Sequence, residues 1–325
     1  MSEQADDERG ARGTKHPETP DPTLRAENRP FPSAEEDHRH AHLDPETPQT
    51  LSPAYKLGFA DPDFLMRDEL RSARLQLEFL KPDLLQQDRG ITATVVVFGS
   101  ARIPSPEDAD ARLAEAEAAL SAAPDDPAAQ QTLRAVRSLV AKSHYYDEAR
   151  RLACLVSKMD EEPVADDACL LQHSPESVVV VTGGGPGIME AANRGARDVE
   201  ADSIGLNIVL PFEQKPNAYI TPHLCFNFHY FALRKMHFLM RAVALVVFPG
   251  GYGTLDELFE VLTLIQTGKI EPIPVLLFGR EYWERLIDFP AFVEEGVIAP
   301  KDLEIFSYVE TADEAWKILR PLIYD

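Results

Sequence analysis

The stretch 245-LVVFPGGYGTLDELFEVL-262 decides how this chain is read. An apolar, β-branched run enters three glycines and a threonine, then passes directly into a helix-type pattern carrying Asp256 and Glu257. One reading is a plain turn. The other is a phosphate cradle with an acid one helical turn further on. Gly250, Gly251 and Gly253 leave their amides open to close approach by an anion, and Thr254 adds a hydroxyl donor. Glu257 lies four residues beyond Gly253, on nearly the same helix face, whereas Asp256 is rotated by about 100°. A carboxylate beside a phosphate site is poorly placed for a static role, because like charges repel. It suits a ribose-hydroxyl acceptor or a general base. The plainer role for Glu257 is to stabilise the start of its helix.

The same design recurs upstream. The strand-like 178-VVVVT-182 runs into 183-GGGPG-187, and 93-ATVVVF-98 runs into Gly99-Ser100. Gly184, Gly185 and Gly187, with Gly183, free backbone amides for an anion, and Pro186 suits a helix start. Tight strand-to-helix packing would require the same glycines. The loop is neither a Walker pattern nor a Rossmann fingerprint. Further strands are expected at 204–211, 224–230, 273–279 and 306–310, alternating with helices that begin near Ile188, Phe231, Thr254, Glu281 and Ala312. Gly268 is placed to end the helix that follows the opening stretch. This alternation predicts an α/β fold: a Rossmann-like, doubly wound parallel sheet with helices on both faces. All three glycine turns then fall at the carboxyl ends of strands, where such sheets bind ligands.

Composition divides the rest. Residues 1–55 are rich in Pro, acidic residues and His, and read as a disordered tail; His38, His40 and His42 form a solvated polar tract. Residues 56–90 read as an N-terminal helix, with Phe64, Leu65, Leu70, Leu75, Phe79 and Leu80 near helical spacing. Residues 91–325 form the nucleotide-binding catalytic domain, with a helical insertion at 106–158 broken at PDDP, where Asp125 or Asp126 caps the second helix. That helix becomes more apolar toward Leu152 and Leu155 and is expected to cover the sheet. The formal net charge of −22 opposes non-specific nucleic-acid or anionic-membrane binding. Three cysteines without a CxxC, no membrane-length apolar run and an N-terminus without signal-peptide character point to the cytoplasm. His223, His229 and His237 are scattered and suggest no metal site. Arg234 and Lys235 put two cations before an apolar helix, either as a solvated pair or as countercharge for an anionic ligand.

Taken together, TGGGPGIMEAANRGA, ALRK and FPGGYGTLDE resemble the Lonely Guy family over roughly residues 91–325. These are Rossmann-like enzymes that release the base from nucleoside 5′-monophosphates; many have been labelled lysine decarboxylases. The family signature PGGxGTxxE is met in full from Pro249 to Glu257. The resemblance implies that Gly250, Gly251, Gly253 and Thr254 bind the 5′-phosphate and that Glu257 and Arg234 carry catalysis. Gly99, Ser100, Gly184, Gly185, Gly187, Met189, Glu190 and Lys235 complete the candidate substrate-binding set. It implies no cofactor and no metal, a nucleoside 5′-monophosphate substrate, and a homodimer with active sites near the interface. The helix from Phe231 to Arg241 also carries more apolar surface than a one-sided helix needs. In the family pattern Met-x-x-Arg-Lys-x-x-Met, Phe231 and Phe238 replace the methionines, which leaves cytokinin riboside and ordinary nucleoside monophosphates both open. The alternatives are a non-catalytic nucleotide-binding or sensing module, which would not need Glu257, and a cofactor carrier. Lysine decarboxylation would need a Schiff-base lysine with pyridoxal phosphate; Lys235 and Lys269 are the nearest candidates.

Overall fold

The computed structural model describes residues 31–41, 46–158, 178–211 and 215–324. Most of the tail and Cys169 therefore lie outside the described residues, as does His42. The chain divides into two compact units, Met1–Arg74 and Leu75–Asp325.

In the first unit, helix α1 (Ala34–Ala41) buries none of its residues. The sequence suggests one helix across Asp61–Gln87, but the chain there is interrupted. A single turn, α2 (Pro62–Leu65), is capped by Asp61, which accepts from the amides of Asp63 and Phe64. Arg67 is extended, and a new helix, α3 (Arg71–Asp88), begins after it. The break is stabilised by Arg74, whose guanidinium donates to the Leu65 and Arg67 carbonyls at 2.7 and 2.6 Å. Carbonyls at a helix end lack intrahelical partners, and the Arg67 carbonyl also accepts from the Leu70 amide at 3.1 Å.

The second unit holds a seven-stranded sheet. Its strands are β1 (Ala93–Phe98), β2 (Val178–Thr182), β3 (Ser203–Ile208), β4 (Cys225–Phe228), β5 (Ala242–Val247), β6 (Val275–Phe278) and β7 (Phe306–Val309). Every pairing is parallel and the order is β4-β3-β2-β1-β5-β6-β7. This is the doubly wound α/β sheet that the sequence predicts. Its central strands β1, β2, β5 and β6 read as nearly unbroken apolar runs because both faces are covered. Along β1, Val95 and Val97 face one core, while Val96 and Phe98 face the other.

One core is roofed by three helices: α6 (His144–Ser157), α7 (Ile188–Asp198) and α12 (Ala312–Tyr324). The other takes Phe238 from α8 (Phe231–Leu239), Leu258 and Val261 from α9 (Tyr252–Gln266), Trp283 from α10 (Arg280–Leu286) and Phe289 from α11 (Phe289–Glu294). Within the segment 106–158, α4 (Pro106–Ala122) and α5 (Pro127–Val140) bury only Ala109, Ala116 and Leu133. Asp126 caps α5. The following α6 is part of the sheet's cover, burying Tyr146, Leu152 and Val156 among others. The short α11 is not evident from the sequence.

Strand order reverses between β1 and β5. Chain connections leave that point in opposite directions, so a crevice opens beyond the ends of these two strands. The crevice is bounded by Gly99-Ser100 and by Pro249-Gly253. Two backbone bonds tie its walls: Phe248 N–H donates to the Phe98 carbonyl at 2.8 Å, and Ser100 N–H to that of Pro249 at 3.0 Å. Among the described residues no helix is long and apolar enough to cross a membrane, and no group of three His, Cys, Asp or Glu is placed to hold a metal ion.

Candidate active site

A cavity of about 660 Å³ occupies this crevice. One wall is Gly99, Ser100, Ala101 and Arg102; the opposite wall is Gly250 to Glu257. Met189 and Phe231 approach from α7 and α8, Tyr282 and Leu286 from α10, and Arg234 lies at the back. The structure thus brings together Gly99, Ser100, Met189, Arg234, Gly250, Gly251, Gly253, Thr254 and Glu257 from the candidate set. Gly184, Gly185, Gly187, Glu190 and Lys235 do not line the cavity.

The loop 250–254 is built to leave its amides free. Added Cβ atoms at Gly251 and Gly253 would meet nothing, so these positions face open space. Gly250 is different. A side chain there would collide with Thr254, which is buried against it. The Gly250 carbonyl accepts from the Tyr282 hydroxyl at 2.6 Å. The positive end of α9 adds to the potential at the loop.

The loop 183–187 has several of its polar groups already engaged. Gly184 N–H donates to Thr182 Oγ1 at 3.0 Å, and its carbonyl accepts from Asn217 N–H at 2.9 Å. The Gly185 carbonyl accepts from Asn217 Nδ2 at 3.1 Å. Asn217 and Thr182 both bond to the fully buried Asn193, closing a network under the loop. Gly187 has φ of +71°, and a side chain there would strike the Ser100 carbonyl. Gly183 makes room for the site indirectly: a Cβ would stand 2.7 Å from Arg234 Nη2 and 2.9 Å from Met189 Sδ. These glycines form the bed on which Arg234 and Met189 rest. Glu190 accepts from the Tyr146 hydroxyl at 2.9 Å, which explains its absence from the cavity.

The charged groups separate by burial. Glu257 keeps 7% of its side-chain surface exposed and Asp256 keeps 58%. Burial pushes the Glu257 carboxyl up to about 7, against the pull of Lys235 and with a smaller upward push from Glu260. Arg234 is half-buried; its desolvation lowers its pKa, while Glu257 works in the opposite sense. Its Nε donates to the Leu206 carbonyl at 2.7 Å, and its guanidinium lies 5.1 Å above the Phe238 ring. Lys235 is held by Asp256 at 2.9 Å, Glu260 at 2.8 Å and Glu257 at 3.4 Å. Burial opposes its charge, but the bonds from Glu260 and Asp256 outweigh that and raise its pKa.

Arg102 and Tyr282 are site residues that the sequence reading does not single out. Arg102 follows Gly99-Ser100 directly, and an Arg beside a glycine turn in so acidic a chain was a usable signal. Tyr282 arrives from a separate helix and left no local one.

A buried carboxyl, a half-buried guanidinium and an open glycine-threonine loop thus meet at the switch point of a parallel sheet on a Rossmann-like fold. Residues 189–319 match the family model described as "Possible lysine decarboxylase". Over 88 residues the chain is 42% identical to cytokinin riboside 5′-monophosphate phosphoribohydrolase LOG3 of Arabidopsis thaliana, covering 26% of this chain and 40% of that one. Over 92 residues it is 39% identical to LOG1 of the same plant, covering 28% and 43%. A molybdenum cofactor binding protein of Rippkaea orientalis is 15% identical over 71% of this chain and 96% of its own, with a TM-score of 0.39. The Lonely Guy resemblance is therefore shown over the segment that carries α8, β5 and α9. The chain spans about 40% of the length of the curated relatives it matches.

Proposed function

We propose that the protein hydrolyses the N-glycosidic bond of a nucleoside 5′-monophosphate, releasing the base and ribose 5-phosphate. The observation that carries this reading is Glu257, a buried carboxyl whose pKa stands near neutrality, one turn beyond an anion-ready loop. Relatives sharing the segment are named as phosphoribohydrolases of cytokinin riboside 5′-monophosphate, which supports the reaction class.

In this mechanism the 5′-phosphate is held by the free amides of loop 250–254 and by Thr254. Binding energy from this remote group fixes the ribose above Glu257. As the C1′–N bond stretches, positive charge builds on the ribose and negative charge on the base. Glu257, as carboxylate, stabilises the ribosyl cation or directs water to C1′. Arg234 offsets the anionic charge. Arg102, whose side chain has no hydrogen bond or ion pair among the described residues, is a cation at the cavity available to a phosphate. Phe231 and Met189 offer apolar contact to the base. Lys235 does not suit Schiff-base chemistry with pyridoxal phosphate, because three carboxylates favour its charged form and the reaction requires a neutral amine.

Phe231, Met236 and Met240 on and beside α8 are 50, 50 and 42% exposed, and Tyr252 at the loop is 92% exposed. This apolar rim supports a homodimer that closes beside the cavity. Light scattering at micromolar concentration is expected to show a dimer; a monomer alone would remove that part of the proposal.

The activity test is a panel of purine, pyrimidine and cytokinin riboside monophosphates scored for free base and ribose 5-phosphate. At least one monophosphate is expected to turn over far faster than its nucleoside. Equal turnover of AMP and adenosine would refute the phosphate cradle.

A further inference from the structure

Helix α8 carries Arg234, and its first turn meets the core through the partly buried Leu233. His237 and Phe238 are its buried side chains, and both lie in its last turn. Tyr230 at its N-cap supplies no side-chain bond. Further support comes from α3, which lies outside the residues 189–319 that the family model matches. Glu78 Oε1 accepts from the amides of both His229 and Tyr230, each at 2.8 Å. A carboxylate at the start of a helix is also favoured by the helix dipole. Two further tethers hold the other end. His237 Nε2 donates to the Phe79 carbonyl at 3.0 Å, and Arg241 pairs with Asp83 at 2.6 Å. Arg234 sits between these anchors. Its own Nε–H is fixed on the Leu206 carbonyl, a bond that survives only if α8 keeps its height above the sheet.

We infer that Glu78 is a positioning residue for Arg234, acting through the backbone at the start of α8. The catalytic consequence rests on the function proposed above; the positional one does not. Glu78→Ala removes both bonds and lets the end of α8 that carries Phe231 and Arg234 fray. Glu78→Gln retains an oxygen able to accept from both amides, so it should largely rescue the loss.

The test uses the full chain with Glu78→Ala and Glu78→Gln. It reads hydrogen exchange at the Arg234 Nε–H and at the amides of β1, together with hydrolysis of whichever monophosphate the wild type accepts best. In Glu78→Ala the Arg234 Nε–H is expected to exchange at least about tenfold faster, and kcat/KM to fall about tenfold, as loss of charge-assisted hydrogen bonds would give. The β1 amides should stay protected, which separates this effect from global unfolding. Glu78→Gln should remain within about threefold of wild type in both readings, since it keeps the acceptor. Unchanged Arg234 exchange in Glu78→Ala overturns the inference, as does an equal loss of protection throughout β1. If the wild type hydrolyses no monophosphate, the proposed function falls, and the exchange measurement still decides the role of Glu78.

Discussion

The loops 183-GGGPG-187 and 250-GGYGT-254 look alike in sequence and follow β2 and β5, the strands on either side of β1 in one sheet, but they are used in opposite ways. The first has bonded its polar groups to Thr182 and Asn217 and packs against Ser100. The second leaves Gly251 and Gly253 facing open space, while its Gly250 and Gly251 carbonyls accept from the Tyr282 hydroxyl and the Leu255 amide. Glycine content therefore marks both a packing bed and a ligand cradle. What separates them is whether the space beside the glycines is already filled by the protein.

Alanine substitutions offer the sharpest way to break this comparison. Gly187→Ala forces a side chain into positive φ and against the Ser100 carbonyl, and is expected to cost about 2–4 kcal/mol of stability in denaturant unfolding. Gly251→Ala meets no protein atom and should leave the unfolding midpoint within error, while weakening monophosphate binding about tenfold or more as the cradle loses access. If Gly187→Ala spared the fold and abolished binding, the two loops would have been assigned the wrong way round.

Acid titration probes the second loop's neighbour. Because Glu257 must be ionised to act, kcat/KM should fall about tenfold per pH unit below a midpoint near 7. The same shift affects stability. The folded state holds the Glu257 proton up to about 7, against the usual 4.5. It therefore binds more protons than the unfolded chain across that window, and stability falls as pH rises through it. The wild type should lose on the order of 1–3 kcal/mol from this group between pH 5 and 7.5, and Glu257→Gln should not. A flat rate profile from pH 5 to 8 would remove Glu257 as the ionising group.

A smaller effect is expected at the mouth of the cavity. Arg102→Ala should weaken monophosphate binding about five- to tenfold and reduce its salt dependence, leaving nucleoside binding and stability unchanged. Equal losses for nucleoside and nucleotide would show that Arg102 serves the fold.

The sheet was legible because strands buried on both faces become continuous β-branched runs, and each of the seven ends at a recognisable turn. The difference between Asp256 and Glu257 was legible too: a rotation of about 100° on a helix puts one carboxylate in solvent and the other in the wall. Other features depend on distant parts of the chain and left no local trace. The bond from Tyr282 to Gly250 and the bonds from Glu78 to His229 and Tyr230 are of this kind. So are the partners that occupy loop 183–187, because Asn217 lies well beyond the loop it secures. The interruption before α3 was hidden for a related reason: Arg74 stabilises carbonyls seven and nine residues upstream, a pattern that apolar spacing does not reveal.

The central claim is that Glu257 turns an anion-binding loop into a hydrolytic site, and Glu257→Gln tests it most directly. Calorimetric binding of a monophosphate and single-turnover release of its base are to be measured on the same preparation. The account predicts affinity within about threefold of wild type, or tighter as repulsion of the phosphate is relieved, and base release slowed about a hundredfold or more. Near-normal release of base by Glu257→Gln would contradict it and direct attention to Asp256.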